Sequence, residues 1–261
     1  MKKSLLLALL LFSTQALATV DDINIKADKQ VEWHQNENKM VAVGNATATK
    51  NNMSLRGDQL IGYYENLNGK NTIRSMQAVG NVVMKSDKAT AYGNTMDYDL
   101  QKDEVVLKGR PAKIATETES ITATDNITYY PSQNKAIATG NVIVTDKDKN
   151  QIYSDNLTAY FKKNAKGDLE IDRAEIVEGV KIVAKDATVT AKRGTYSPQT
   201  GLIHLYEDVT ITQANGNVLR GVEAESDLNT GVSKILSGAN GGRVTGVFKE
   251  QKKANPNAKS K

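Results

Sequence analysis

The chain has 261 residues, 39% of them hydrophobic, with 19 Gly, 4 Pro and no Cys; this is enough for one or two domains with a real core and excludes a disulfide-stapled scaffold. The formal charge of +4 sits at the ends: without Lys2 and Lys3, and without the five Lys and one Glu of residues 249–261, the body holds 27 basic and 29 acidic residues. A near-neutral body with a basic tail argues against a nucleic-acid binder, whose fold presents a basic face.

Lys2 and Lys3, an apolar run from Leu5 to Phe12 and Ala16-Leu17-Ala18 read as a cleaved secretory signal peptide over residues 1–18, too short to span a bilayer as a helix. The mature chain opens with strict alternation, Ile23-Asn24-Ile25-Lys26, then Val31-Glu32-Trp33, a polar turn through Gln35–Asn38, and Met40-Val41-Ala42-Val43. From here a phrase recurs. Its punctuation falls at Gly44-Asn45, Gly80-Asn81, Gly109-Arg110, Gly140-Asn141, Glu178-Gly179 and Glu207-Asp208. Alternating pairs follow most steps: Ala46/Ala48, Val82/Met84, Val142/Val144, Val180/Ile182 and Val209/Ile211. The Gly109 step is irregular because Pro111 interrupts it. A second strand follows each step, with Leu60 and Tyr63, Met96 and Tyr98, Ile127 and Tyr129, or Leu157 and Tyr160; Tyr196 keeps only the tyrosine.

Period-two alternation buries one face of each strand and wets the other. No stretch of the mature chain sustains apolar residues at helical spacing. The fold class is therefore all-β, an elongated stack of repeated short antiparallel strands. Two short strands per repeat predict six or seven rungs, roughly 30 Å of stack. The regular stack is expected to bend or end at the Gly109 and Glu207 steps. Residues 19–248 read as one continuous fold with a soft junction near 162–168, and residues 249–261 as a disordered basic tail.

Folded into a V, such strands give an apolar lining. The predicted inward set is Ala46, Ala48, Val82, Met84, Val142, Val144, Val180, Ile182, Val209 and Ile211, facing Leu60, Met96, Ile127 and Leu157. Many small and medium side chains and few Phe favour an incompletely filled interior; an ordinary filled core without a cavity is the alternative. Open sheet edges recruit other strands. The first strand, with Ile23 and Ile25, and the last, with Val244 and Val247, are the candidate assembly edges.

Other signals are weaker. Asp146-Lys147-Asp148-Lys149-Asn150 begins like a calcium loop, but Gln151 stands where Gly is needed and Leu157 where Glu is needed. No ligand cluster for a metal, no cofactor motif and no nucleophile elbow is visible. His34 and His204 are isolated beside Glu32 and Glu207. Asp58, Asn94, Asp125 and Asp155 recur as turn or bulge formers. Arg56, Arg74 and Arg110 are either phosphate contacts at a groove mouth or solvated surface charge.

The opening Ile-x-Ile-x-Ala-Asp, the Val-x-Val-Gly-Asn step at 41–45, the Asp-x-Leu second strand and the closing Leu219-x-Gly-Val-Glu-Ala-Glu-Ser-Asp-Leu-Asn-Thr-Gly resemble the LptA/OstA family. The resemblance is clearest over residues 23–130 and persists to 248. It implies an open, V-shaped β-jellyroll in the periplasm that holds the acyl chains of lipopolysaccharide (lipid A) without catalysis. It also implies head-to-tail self-association, and edge-strand contacts with an inner-membrane transport complex and an outer-membrane translocon. The chain is longer than the usual member. A reading from another class remains beside it: a structural or adhesive β-repeat protein of the envelope, with a filled core and no ligand.

Overall fold

The computed structural model describes residues 23–67, 70–165, 167, 169–227, 230, 232–238 and 241–249, so the signal-peptide expectation and nearly all of the tail lie outside the described residues. Eighteen strands pair antiparallel in one continuous sheet. The first rung is split into β1 (Asn24–Lys26) and β2 (Gln30–His34), both paired with β3 (Lys39–Lys50). Hairpins lead on through β4 (Met53–Leu67), β5 (Lys70–Lys85) and β6 (Thr90–Asp99). The next rung is split into β7 (Glu104–Lys108) and β8 (Ala112–Ala115), and the following one into β9 (Glu119–Ala123) and β10 (Asn126–Tyr130). β9 pairs with β8 and β10 with β7, and both continue onto β11 (Lys135–Asp146). Then come β12 (Gln151–Lys163), β13 (Leu169–Val183), β14 (Ala187–Ser197), β15 (Leu202–Gln213) and β16 (Val218–Asp227). The last rung is split into β17 (Val232–Leu236) and β18 (Thr245–Val247), both on β16.

The expected rung count was too low. Most strands run through the corner of the V and serve both walls, so the described residues build fourteen rungs. At ~4.8 Å per strand this is about 60 Å of stack. β12 and β13 pair antiparallel out to Lys163 and Leu169.

The corner is made by the recurring step. On β3, β5, β11, β13 and β15 the pairing register breaks where the step residues fall, between Val43 and Ala46, Val79 and Val82, Thr139 and Val142, Val177 and Val180, and Tyr206 and Val209. Both residues of each step are left-handed, as at Gly140 (φ 81°) and Asn141 (φ 42°). Two consecutive left-handed residues turn the strand sharply, and Gly and Asn are the residues that adopt this conformation most readily. Side chains brace the corner across rungs. Asn81 Nδ2 donates to the Asp58 carboxylate at 2.9 Å, Asn156 Nδ2 to Glu178 at 2.8 Å, and Arg193 pairs with Glu207 at 2.7 Å. The Gly109 step does break the strand, separating β7 from β8. The Glu207 step keeps the bulge, and the stack runs on past it to β18.

A longer period overlies the short one. The single-turn 3₁₀ segments Gln35–Glu37 and Pro131–Gln133 each end on a left-handed asparagine, Asn38 and Asn134, 96 positions apart. The Asn38 carbonyl accepts from Tyr64 N at 2.9 Å and the Asn134 carbonyl from Phe161 N at 2.8 Å. The edge pair Trp33–Tyr64 has its counterpart in Tyr129–Phe161, with ring centroids 6.1 and 6.2 Å apart. The sheet is thus two structural copies in tandem, joined where β7 and β8 meet β10 and β9.

A Cβ on Gly140 would fall 2.4 Å from Asp125 Cγ, at a φ that β-branched residues rarely adopt, whereas a Cβ on Gly179 has open space. Gly140→Val should lower the urea-unfolding free energy by about 1–3 kcal/mol. Gly179→Asn should stay within about 0.5 kcal/mol of the parent, since Asn tolerates the left-handed region.

Candidate functional site: the interior of the V

Inward-facing residues from the two walls make one apolar cluster running the length of the sheet. Of the predicted lining, Ala46, Ala48, Leu60, Val82, Met84, Met96, Ile127, Val142, Val144, Leu157, Val180 and Val209 are buried in it. Ile182 is half-buried and packed against it, and Ile211 is half-buried on β15. Leu60, Met96, Ile127 and Leu157 stand on one wall and the rest on the other, because the corner lies between them.

The interior is not uniformly filled. Two adjoining apolar cavities of about 200 and about 220 Å³ lie between the walls in the first copy. They share Ile23, Ala48 and Met76. Predicted residues Leu60, Met84 and Met96 also line one or the other. From Ile127 to Val180 the predicted residues are instead closed off from solvent, none more than 3% exposed. The sequence reading missed Trp33, Met40, Met53, Ile73 and Met76 as lining residues. Their signal was present: all five methionines beyond Met1 fall between residues 40 and 96.

The recurring tyrosines do not share a face. Two residues after an inward aliphatic position the phase is inward again, so Tyr129 and Tyr196 are buried and Tyr98 half-buried. Three residues after, it is outward: Tyr63 is exposed, and Tyr160 carries the Arg173 guanidinium 3.7 Å above its ring. Arg56, Arg74 and Arg110 are all exposed, and Arg56 alternates with buried Leu55, so it points away from the interior. His34 contacts Glu32 at 2.7 Å, as anticipated; His204 lies beside Glu225 at 3.8 Å rather than Glu207. Asp146 closes a hairpin tip, accepting from the backbone of Asp148 and Asn150 at 2.8 and 2.9 Å. No group of metal-binding side chains occurs among the described residues.

The two ends of the stack differ. Among the described residues no strand pairs along the outer edge of β1 or β2. Val31 and Trp33, inward-facing on β2, are therefore 51% and 60% exposed. Their counterparts on β10, Ile127 and Tyr129, are covered by β7 and are 3% and 2% exposed. Of the other candidate edge residues, Ile23 is exposed just before β1 and Ile25 is half-buried on it. Val247 is exposed on β18, and Val244 is exposed just ahead of that strand.

Burial pushes the phenol of Tyr129 up to about 12, helped by Asp103, and that of Tyr196 up to about 12, helped by Glu119. The unfolded chain releases these protons near pH 10, earlier than the folded one. The stability they contribute is complete below pH 10 and is lost as pH rises toward 12. Burial also raises the Tyr98 phenol; alkaline ultraviolet titration should show late phenols, of which Tyr129→Phe removes one and Tyr196→Phe another.

Comparison with known proteins places this architecture. No curated protein matches the chain. A solved structure that does is LptH, described as the LptA homologous periplasmic component of the conserved lipopolysaccharide transport device from Pseudomonas aeruginosa; it is 21% identical, with a TM-score of 0.39, and the match covers 46% of this chain and 83% of that one. The family model for LptA/(LptD N-terminal domain) LPS transport protein matches twice, over residues 24–135 and again over 120–232. Together the two matches span most of the chain, and they overlap in the segment that holds β9 and β10. The chain belongs to the family of LptA and the LptD N-terminal domain, the lipopolysaccharide-transport proteins.

Proposed function

We propose that the chain is an exported periplasmic carrier that shields the acyl chains of lipopolysaccharide on their way to the outer membrane. It does so as a binding surface, with no chemical step. The observation that carries this reading is the apolar interior that is open, not filled, in the first copy. A cavity of roughly 150 Å³ with aliphatic walls already accepts a benzene-sized guest. Each of the two cavities therefore suits a stretch of hydrocarbon chain. Residues 19–248 act as one unit made of two tandem copies, with residues 1–18 removed on export and residues 249–261 a basic tail.

The exposed edge of β1 and β2 supports the second part of the reading, assembly by strand addition. The joint between β7/β8 and β10/β9 inside the chain is a pattern for how another jellyroll edge would seat there. The occupants would be a second copy presenting its β17/β18 end, or the homologous edge of an inner-membrane or outer-membrane transport component.

Purified protein should co-elute with acylated glycolipid. Photo-cross-linking from inward Leu60 or Met84 should transfer label to it, while outward Gln77 and Asp97 should not. Label from the outward pair alone would sink the carrier reading and favour a structural β-repeat protein. For assembly, a sedimentation series should show concentration-dependent self-association. Val31→Lys puts a charge on a half-exposed edge position, where surface substitutions usually cost under about 0.5 kcal/mol of fold stability. It should weaken association at least tenfold. A monomer at every concentration for both proteins would count against assembly through this edge.

A further inference from the structure

We infer that lipid is held only in the first of the two tandem copies, in a methionine-lined cleft, and that the second copy is a closed spacer that takes no acyl chain. This rests on the carrier reading above and adds where in the chain the ligand sits.

The two copies are the same fold, so position can be compared with position through the strand registers. In the first copy Met40, Met53, Met76, Met84 and Met96 all line the two cavities. In the second copy the equivalent rungs carry Ala136, Asn150, Ala174, Ile182 and Gly194. None is a methionine. Methionine has an unbranched, polarisable side chain that re-packs around variable apolar guests, which is why it is common on adaptable binding surfaces. Its confinement to the one copy that has described cavities is a chemical difference as well as a geometric one.

The second copy is filled where the first is open. Tyr64 and Ile73 line the first cavity, and their counterparts Phe161 and Ile171 are buried in the core with Leu169 and Tyr129. The polar rim differs too. Ile23 and exposed Lys50 border the second cavity of the first copy. At the same two positions of the second copy stand Glu119 and Asp146, opposite one another on β9 and β11 and both buried. A cation at the rim favours an amphiphile with an anionic head, and the second copy has no cation at these two positions. Hydrocarbon volume and rim charge therefore select the same copy.

The ligand class is an anionic amphiphile with flexible alkyl chains. The test uses the full mature chain labelled at Met ε-methyls and Ile δ1-methyls. The probes are lipopolysaccharide, dodecyl phosphate below its micelle concentration, and neutral dodecyl maltoside as a head-group control. The expected result is that the Met methyls and Ile61 and Ile73 shift on titration, while Ile171 and Ile176 do not. Ala48→Leu, at the wall shared by both cavities, should weaken dodecyl phosphate at least tenfold with the unfolding midpoint little changed. Lys50→Glu, on the surface, should weaken dodecyl phosphate but not dodecyl maltoside. Shifts of Ile171 and Ile176 equal to those in the first copy would overturn the inference and leave the carrier reading intact. No shift in either copy with any probe would overturn both.

Discussion

The structure depends on one backbone event, the pair of left-handed residues that bends a strand at each corner. Without it the strands would be straight and the sheet would be a flat ribbon with a solvated apolar face. With it, each strand contributes an inward set from both walls, and the walls face each other. The event costs little where Gly and Asn occupy it and more where Glu207 and Asp208 do. The bracing contacts of Asp58 with Asn81 and of Arg193 with Glu207 hold the bend in place, so these two acids tie their corners.

Because the fold is a stack, burial of any inward side chain is decided by its neighbours above and below. Trp33 and Tyr129 are equivalent positions with opposite exposure, and a further rung, β7, covers only Tyr129. The interior joint between the copies buries apolar surface at about 25 cal/mol per Å²; the same surface at the β1/β2 end remains unburied. That end is consequently both the mouth of the cavities and the edge open to strand addition. A partner strand seated there would cover Val31 and Trp33 and extend the apolar interior by another rung. In the proposed function, ligand access and assembly run through the same residues.

Duplication relaxes what each copy must do. One copy can retain volume and methionine, at the stability cost that open apolar space carries. The other can close around Tyr129, Phe161 and Ile171 and supply stability to the whole sheet, since the strands form one hydrogen-bonded unit. In the proposed function, a long carrier need not hold cargo along its whole length.

Much of this was legible in the residues themselves. Alternation with period two marked the strands, the Gly-Asn steps marked the corners, and those two facts alone placed Val142, Val144 and Leu157 inward. The phase of Tyr63 against Tyr98 was legible as well, by counting from Leu60 and Met96. Tertiary structure decided what counting could not reach. Whether an inward residue meets a neighbour or empty space depends on side chains three or more rungs away in sequence. Leu60 and Leu157 occupy equivalent positions, yet one borders a cavity and the other is sealed in the core. The number of rungs followed from strands passing through the corner, a consequence of the bulge keeping its pairing on both sides. The 96-residue duplication was hidden because the shorter step repeats within it; the matched turns at Asn38 and Asn134 and the matched ring pairs beside them separate the two periods.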